Sequence, residues 1–416
     1  MKRLSAIVML MLFVPCLVPG QAAAEPEKKS LAASDQETLS AARGYEDPRL
    51  RRFAEILVKY SVDLKKGEKI LLRVYNENAV PLAKAIIDEV YRVGGMPFVD
   101  MLDEQWDRAL YLGATAEQYQ LQYSWDSLKF GSMNAFIILK GDENQYELSD
   151  VPAEKINLWS KHWFEPLWSK IVYPKLKWCF LHVPSSGMAQ AAGMSTEAFC
   201  DFYFKVCTMD YGKLAKAMDP LVRLMKTTDK VRIVGPGTDL TFSIKNIPVL
   251  AETGHYNIPD GEVFTAPVRN SVNGTWYVDL PCTWRGVTYK DIRLEFKDGE
   301  IIKAAANLTG QLNQVLDVDE GARYLGEFSF GVNPYIEKPM NNLLFDEKIA
   351  MSFHIAMGNS YPDADNGNHS ALHWDLVSIQ SPEFGGGEIW FDGKLIRKNG
   401  LFVLPELLGL NPENLK

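Results

Sequence analysis

Lys69-Ile-Leu-Leu-Arg-Val74 and Phe98-Val-Asp-Met101 are two short, mostly apolar runs that enclose a segment with the periodicity of a helix. The enclosed segment has Pro81 at its start and Gly94-Gly95 at its end, which are the residue types preferred at these helix boundaries. One face of the predicted helix carries Leu82, Ile86, Val90 and Val93. A strand, a helix and a second strand in this order form a βαβ unit, which predicts a parallel sheet.

The same alternation continues on both sides of this unit. Apolar runs at 135–139 and 178–182 are predicted strands with helical segments between them, and an amphipathic helix begins near Asp47-Pro48. The glycines match neither a dinucleotide fingerprint nor a phosphate loop, so nothing indicates nucleotide binding. We therefore predict an α/β scaffold domain over residues 45–227 that does not itself carry the chemistry.

The pattern changes near Lys226, where runs with period-2 alternation replace the helical segments. Asp298-Gly299 and Asp392-Gly393 each lie between two such runs, which is typical of a hairpin with a two-residue turn. The predicted fold is thus an α/β N-terminal domain with a parallel sheet, followed by a mainly antiparallel β (α+β) domain over residues 228–416.

Residues 1–24 have the features of a secretory signal peptide. Lys2-Arg3 is followed by an uncharged run over residues 4–18, and Ala22-Ala23-Ala24 offers a cleavage site. The alternative is an uncleaved anchor, but the run is shorter than the ~20 residues that a spanning helix needs and contains Pro15. Residues 25–44 have little to bury and form a predicted disordered spacer. These features predict a secreted or periplasmic protein without a membrane span in the mature chain.

The composition is that of a folded globular protein. The chain has 416 residues, of which 47% are hydrophobic and 23% charged, and this length favours two domains. The net charge of −9 becomes −11 when Lys2 and Arg3 leave with the signal peptide. An acidic surface argues against nucleic acid as a partner. The cysteines are not spaced as in a zinc finger or a disulfide-dense scaffold, so we expect them to be buried thiols.

Two predicted strands in the second half carry histidines on small, polar faces. His354 shares its face with Ser352 and Ala356, whereas His373 shares its face with Asp375. Side chains two residues apart lie roughly 6.5 to 7 Å apart along a strand, so His373 and Asp375 suit one metal ion or two adjacent ions. A lone His-x-Asp pattern is weak evidence, but two imidazole-bearing strands around a polar loop with Tyr361 favour a metal site.

Two carboxylates in the second half are further candidates, and a third glutamate is ambiguous. Glu262 follows a Gly-led turn, and Glu327 interrupts the otherwise apolar run Tyr324-Leu-Gly-Glu-Phe-Ser-Phe330. Taken alone, each could also be a cap or a surface charge. Glu347 is expected to be an exposed turn residue and not a ligand.

Several blocks of the second half resemble one known family. The chain is similar, from about residue 48 to its end, to the thermophilic aminopeptidase family, the aminopeptidase T and aminopeptidase S group of metallopeptidases. The blocks that carry the resemblance are Val231-Arg-Ile-Val-Gly-Pro-Gly-Thr-Asp-Leu-Thr-Phe242, residues 257–267, Leu325-Gly-Glu327, Asp346-Glu-Lys348, His354-Ile-Ala-Met-Gly358 and Ser370-Ala-Leu-His-Trp-Asp375. Ala189-Gln-Ala-Ala-Gly-Met-Ser195 in the first half is similar as well.

The resemblance implies a homodimer with two divalent metal ions in each catalytic domain. The implied metal ligands are Glu262, Glu327, His354, His373 and Asp375. Tyr361 would lie beside the metals as the donor to the oxyanion, and Glu327 would be the bridging or proton-shuttling carboxylate. Mixed imidazole and carboxylate ligands suit Zn, Co or Mn better than Mg or Ca. The signal peptide departs from the usual cytoplasmic members of the family.

We therefore expect an exported, metal-dependent aminopeptidase that acts on peptides with a free N-terminus. The alternative is a periplasmic peptide- or metal-binding protein with the same fold and no turnover. The sequence contains neither a His-Glu-x-x-His helix nor a Gly-x-Ser-x-Gly motif, which disfavours two other hydrolase types.

Overall fold

The computed structural model describes residues 47–416 apart from 142, 279 and 285. The predicted signal peptide over residues 1–24 and the predicted spacer over residues 25–44 lie outside the described residues. Asp47–Lys416 forms one compact unit. Within this range, no helix combines the length and the apolar character that crossing a membrane requires.

A parallel sheet organises the first half, as the βαβ pattern predicts. Its strands are β1 Lys69–Tyr75, β2 Met96–Leu102, β3 Ala135–Lys140 and β4 Lys177–His182. They lie side by side in the order β2-β1-β3-β4, and each adjacent pair is parallel. Leu71, Leu72 and Val74 of β1 are fully buried, because helices cover the faces of a parallel sheet.

Helices connect these strands and fill the rest of the first half. They are α1 Arg49–Ile56, α2 Val80–Arg92, α3 Glu104–Gly113, α4 Ala116–Gly131, α5 Ala153–Trp159, α6 Glu165–Leu167, α7 Tyr173–Lys175, α8 Ser186–Ala191, α9 Thr196–Cys207 and α10 Tyr211–Thr227. Turns of π-helix at Leu57–Ser61, Ser160–Phe164 and Trp168–Val172 extend α1 and join α5 through α7 into one helical stretch. Cys200 and Cys207 lie on α9, and the cysteines of the described residues are free thiols.

The second half is mainly antiparallel, as its alternation predicts. Its strands are β5 Lys230–Gly235, β6 Thr238–Ser243, β7 Leu250–Glu252, β8 Asn257–Ile258, β9 Glu262–Thr265, β10 Asn273–Val278, β11 Cys282–Trp284, β12 Val287–Tyr289, β13 Ile292–Lys297, β14 Glu300–Ala305, β15 Leu325–Gly331, β16 Ser352–Gly358, β17 His373–Ile379, β18 Glu388–Phe391, β19 Lys394–Lys398 and β20 Leu401–Phe402. Short helices α11 Thr309–Leu316, α12 Leu343–Asp346 and α13 Pro412–Leu415 lie between or after them. The predicted hairpins are confirmed as β13–β14 and β18–β19.

Two antiparallel sheets form the body of this half. One has eight strands in the order β14-β13-β10-β6-β5-β18-β19-β20, and the other has five in the order β17-β16-β15-β9-β7. Trp276 of β10 and Phe353 of β16 pack between them, with ring centroids 6.2 Å apart. The predicted fold class is therefore confirmed in both halves.

One strand of the second half belongs to the sheet of the first. Strand β8 pairs in parallel with β4, with Asn257 opposite Phe180 and Ile258 opposite Leu181. Strand β9 begins four residues after β8, so the chain passes directly from the parallel sheet into the five-stranded sheet. The predicted domain boundary between residues 227 and 228 stays a prediction, because β8 lies after this boundary but pairs with β4, which lies before it.

Candidate metal centre

The five predicted metal ligands lie on four neighbouring strands of the five-stranded sheet. Glu262 begins β9, Glu327 is in β15, His354 is in β16, and His373 and Asp375 are in β17. Since directly opposite residues of an antiparallel pair share a face, the strand register decides which side chains meet.

The register places these side chains on one face of the sheet. Ala356 of β16 lies opposite Glu327 on one side and Asp375 on the other. His354 and His373 lie two residues from members of this row and therefore point the same way. Glu262 lies opposite Gly331, which is four residues from Glu327 on the same strand face. The small residues between them leave room for the larger ligands.

The first cluster consists of Glu262, Glu327 and His354. The His354 Nε2 atom lies 3.0 Å from Glu262 Oε2 and 3.4 Å from Glu327 Oε1. All three residues are buried, with 6%, 3% and 1% of their surface exposed. Ser329 donates a hydrogen bond to Glu262 Oε2 at 3.0 Å and so helps to fix this carboxylate.

The second cluster consists of Glu327, His373 and Asp375. The His373 Nε2 atom lies 3.4 Å from Glu327 Oε2 and 3.6 Å from Asp375 Oδ2. The His373 side chain is 23% exposed, so this cluster is the one that reaches solvent. Glu327 is common to both clusters and presents a different oxygen to each histidine.

Both histidines are oriented by backbone carbonyls. His354 Nδ1 donates to the carbonyl of Glu347 at 3.0 Å, and His373 Nδ1 donates to the carbonyl of Asn359 at 2.7 Å. A carbonyl oxygen only accepts, so Nδ1 carries the proton in each ring. The Nε2 atoms are thereby directed at the carboxylates, in the arrangement typical of metal-binding histidines.

A buried lysine lies behind the first cluster. Lys348 is fully buried, and its Nζ atom lies 2.5 Å from Glu262 Oε1, 2.7 Å from Glu347 Oε1 and 3.9 Å from Asp260 Oδ1. The sequence reasoning missed this residue. The signal was present, since Lys348 directly precedes the largely buried run 349–358, and a charge in such surroundings needs partners.

The expectation that Glu347 is an exposed turn residue is wrong in one respect. Glu347 does follow the short helix α12, but only 13% of its side chain is exposed. Its carboxylate is held by Lys348 and its carbonyl orients His354. A turn residue in a sequence can thus be buried when the turn packs against a site that needs its polar atoms.

The charges of the site strongly perturb one another. Burial lowers the pKa of His354, but Glu262 and Glu327 outweigh it, so the pKa lies well above its ordinary value. Burial likewise opposes Asp375 and Glu327 at His373, whose pKa is raised to about 10. Burial raises the pKa of Glu262, but Lys348 and His354 lower it further, so its net shift is downward. The carboxylates therefore favour the binding of positive charge at a largely buried site.

Tyr361 lies at the edge of the second cluster. It follows β16, and its ring centroid is 4.6 Å from that of His373 and 5.7 Å from that of Phe264. Desolvation of the phenol and the carboxylate of Glu327 raise its pKa well above the ordinary value, so the hydroxyl keeps its proton. With 41% of its surface exposed, Tyr361 is accessible to a substrate.

A glycine shapes the approach to Glu262. Gly261 has φ +134, a conformation that side chains rarely adopt, and a Cβ atom there would lie 3.1 Å from the backbone of Asn333. Asn333 in turn donates from Nδ2 to the carbonyl of Asp260 at 2.8 Å. This close packing fixes the direction in which Glu262 enters the sheet.

The donor set fits divalent metal ions. The ligand atoms of each cluster lie within 4.8 Å of one another. Asp375 Oδ1 and His373 Nε2 are buried and have no hydrogen-bond partner among the described residues, which is costly unless another group satisfies them. Two imidazoles and three carboxylates are ligands that Zn, Co or Mn accept.

Comparison with known proteins identifies the family. A family model described as thermophilic metalloprotease (M29) matches residues 46–394. The chain belongs to this family. It is thus a peptide hydrolase of a metallopeptidase family, which implies divalent metal ions and confirms the predicted resemblance.

Individual relatives agree with this assignment. Aminopeptidase 2 of Geobacillus stearothermophilus is 25% identical over 395 residues, which cover 83% of this chain and 95% of the relative. Aminopeptidase T of Thermus thermophilus is likewise 25% identical over 395 residues, with the same coverage of both chains.

Solved structures show how widely the fold is shared. The wild-type AmpT structure from Thermus thermophilus matches with a TM-score of 0.73 and 22% identity, over 86% of this chain and 99% of that chain. A 2,5-dihydroxypyridine dioxygenase structure from Pseudomonas putida KT2440 matches with a TM-score of 0.57 and 13% identity, over 86% and 98%. Because proteins named for such different reactions share this fold, the fold alone does not determine the reaction.

Proposed function

We propose that this chain is an aminopeptidase that removes N-terminal residues from peptides with two divalent metal ions. In this proposal Glu262 and His354 would hold one ion, His373 and Asp375 would hold the other, and Glu327 would be shared by both. The relatives that carry aminopeptidase names support the reaction. Zn, Co and Mn are the candidate metals.

The observation that carries the proposal is that two candidate clusters share one carboxylate. Glu327 Oε1 faces His354 and Glu327 Oε2 faces His373, each at 3.4 Å. A carboxylate between two ligand sets is the arrangement expected of a bridge between adjacent ions. A single ion would occupy only one of the two clusters and would leave the other set of ligands without a metal ion.

The residues around the clusters have distinct roles in this proposal. Divalent ions would polarise the scissile carbonyl and lower the pKa of a water molecule from 15.7 towards ~7. Tyr361 donates its hydroxyl proton in a hydrogen bond to the oxyanion that develops on the carbonyl oxygen. Binding of the substrate's free α-amino group to one ion or to a nearby carboxylate would restrict cleavage to the bond after the first residue. Lys348 and the two backbone carbonyls hold Glu262 and the histidines in place.

Turnover of an aminoacyl-p-nitroanilide tests this function. The expected result is hydrolysis that a chelator abolishes and that added Zn, Co or Mn restores. The N-acetylated form of the same substrate is the matched control and should not be hydrolysed, because its α-amino group is blocked. A protein that binds peptide or metal without turnover would support the binding-protein alternative.

We also propose that the chain is exported and acts as a homodimer. The support for export is the signal-peptide pattern over residues 1–24, and the support for the dimer is the family resemblance. Mass spectrometry of the exported protein should give Glu25 as the N-terminal residue, and a cytosolic protein that keeps Met1 would refute export. Sedimentation equilibrium should give twice the mass of the mature chain, and a monomer would refute the dimer.

A further inference from the structure

An aromatic cavity lies in the first half of the chain, on one face of the parallel sheet. Its volume is about 140 Å³, and it lies between strands β1, β3 and β4 and the helical stretch from α5 to α7. Its walls include Tyr75, Ile138, Trp163, Phe164, Trp168 and Phe180. We call this space the aromatic pocket. None of the proposed metal ligands lines it.

The rings of the helical stretch form stacked walls. Trp159 and Trp163 have ring centroids 5.5 Å apart at an interplanar angle of 28°, and Phe164 and Trp168 lie 5.5 Å apart at 23°. Offset stacking at such distances is the arrangement that aromatic rings prefer with one another. The walls are thus built of rings, and a small aromatic ring is a group that suits them.

The helix is deformed where it lines the pocket. Trp163 and Phe164 lie in the π-helical turn Ser160–Phe164, whereas Trp168 and Val172 lie in the turn Trp168–Val172. Turns of π-helix are rare and occur frequently at functional sites. Two of them within one stretch, both contributing pocket residues, are a second observation that is independent of the cavity itself.

The position in the sheet also points to a ligand. Strand β2 is added on one side of β1, and strands β3 and β4 are added on the other side, so the order of the strands reverses between β1 and β3. Both β1 and β3 line the pocket. Tyr75 and Lys140, the last residues of β1 and β3, lie at the carboxyl end of the sheet. In open α/β sheets, ligands bind at the carboxyl ends of the strands next to such a reversal.

The charged residues of the pocket are already paired within the protein. Arg73 lies 3.7 Å from Asp100 and 3.5 Å from Asp126, and Lys140 pairs with Glu104. An anionic or cationic ligand would therefore have to break an existing pair. The cavity volume is close to the ~150 Å³ of an engineered apolar cavity that binds benzene.

We propose that the aromatic pocket is a second binding site, for one small neutral aromatic ring of about the size of phenol. The proposal goes beyond the aminopeptidase function and does not depend on it. The ring could belong to a free phenolic compound or to an aromatic residue of a peptide, and the experiment below separates these sources.

Fluorine NMR of 4-fluorophenol tests the site on the full mature chain, with and without a chelator. Saturable line broadening is expected in both conditions, because the metal ligands do not line the pocket. Ile138→Phe should fill the cavity and weaken binding at least about tenfold, since it removes the space that the ring occupies. Unchanged binding by this variant would overturn the proposal, as would the absence of saturable binding by the unmodified protein.

A second variant guards against misfolding of the first. Trp168→Leu removes one wall and should also weaken binding, whereas Trp125→Leu is the matched control, since Trp125 is 64% exposed and does not line the pocket. Equal losses in both tryptophan variants would overturn the proposal. Displacement of 4-fluorophenol by p-cresol alone assigns the site to free phenols, and displacement also by N-acetyl-L-tyrosinamide assigns it to peptide side chains. Aminopeptidase turnover of the Ile138→Phe variant should be unchanged, so failure of one proposal is distinguishable from failure of the other.

Discussion

Strand β1 of the parallel sheet and strands β15 and β16 of the five-stranded sheet are all largely buried, but their buried side chains differ in character. Ile70, Leu71 and Leu72 of β1 are fully buried apolar residues. Strands β15 and β16 are buried along their whole length, yet they contain Glu327 and His354 at 3% and 1% exposure. The buried side chains of β1 are thus mainly apolar core residues, whereas those of β15 and β16 include two proposed metal ligands.

Stability and chemistry come from different parts of this fold. Apolar burial contributes roughly 1.5–3 kcal/mol for each large aliphatic side chain, and β1 gains this in full. A buried polar atom without a hydrogen bond costs about 1–3 kcal/mol, and Asp375 Oδ1 and His373 Nε2 form no hydrogen bond with any of the described residues. We infer that the five-stranded sheet gives up stability for a metal centre, and that the parallel sheet and the apolar contacts between the antiparallel sheets offset this loss.

Removal of the shared carboxylate should have the largest effect. Glu327→Ala is expected to lose both ions and to reduce turnover below detection, because Glu327 belongs to both clusters. Metal content by mass spectrometry and turnover of an aminoacyl-p-nitroanilide measure the two effects. Glu295→Ala is the matched control, since Glu295 lies on an exposed position of β13. Normal metal content in the Glu327 variant would show that the site lies elsewhere.

Removal of a ligand from one cluster should separate the two ions. His373→Ala and Asp375→Ala are each expected to abolish turnover and to lower the metal content, with the Glu262–His354 cluster keeping its ion. The protein should remain folded, because the apolar core lies elsewhere, and circular dichroism checks this. Full occupancy with normal turnover in both variants would contradict the assignment of β17.

The loss of the Tyr361 hydroxyl should have a smaller effect that is confined to the chemical step. Tyr361→Phe keeps the ring that packs on His373 and Phe264, so fold and metal content should not change. Loss of one oxyanion donor costs about 10²- to 10³-fold in kcat, with KM little changed. Tyr146→Phe is a control of similar exposure, at 44% against 41%. Wild-type turnover in the Tyr361 variant would show that this tyrosine only packs.

Lys348→Met should act on stability more than on catalysis. Lys348 is fully buried among Glu262, Glu347 and Asp260, and removal of one partner of a buried ion pair costs about 3–5 kcal/mol. The loss should be largest in a chelator, because bound ions would supply part of the missing positive charge. Thermal unfolding with and without metal measures the difference, and Lys394→Met, at an exposed position, is the control. An equal loss in both conditions would show that Lys348 does not act on the metal centre.

A core substitution in the parallel sheet should leave the metal centre untouched. Leu71→Ala is expected to lower the free energy of unfolding by about 2–5 kcal/mol, because it removes a fully buried side chain of β1. Metal content and turnover of the folded protein should remain at the wild-type level below the unfolding transition. Loss of metal in this variant would show that the core of the parallel sheet also supports the metal centre.

Local patterns in the sequence were enough to predict most of the fold. The parallel strands follow from apolar runs between helical segments, and the hairpins follow from Asp298-Gly299 and Asp392-Gly393. Strand β8 was not predicted, because two residues are too few to show any periodicity. Its pairing with β4 depends on contacts between distant parts of the chain, which periodicity does not report.

The candidate site was predictable for a different reason. The alternation around His354 and around His373 predicts which side chains share a face of each strand. The family resemblance then assigns Glu262 and Glu327 as ligands. The register that unites these residues joins strands far apart in the chain and is visible only in the structure. For the same reason the partners of Lys348 were not predicted. The π-helical turns of the aromatic pocket were not predicted either, because such short turns have no sequence periodicity that distinguishes them from an α-helix.

In the proposed metal centre, Glu327 joins two ions on one face of the five-stranded sheet. An anomalous diffraction map of crystals grown with Zn²⁺ or Co²⁺ tests this arrangement most directly. We predict two peaks, one within ~2.0–2.2 Å of a Glu327 oxygen and the His354 Nε2 atom, the other within the same distance of the second Glu327 oxygen and the His373 Nε2 atom. A single peak, or peaks that lie away from Glu327, would show that Glu327 does not join two ions.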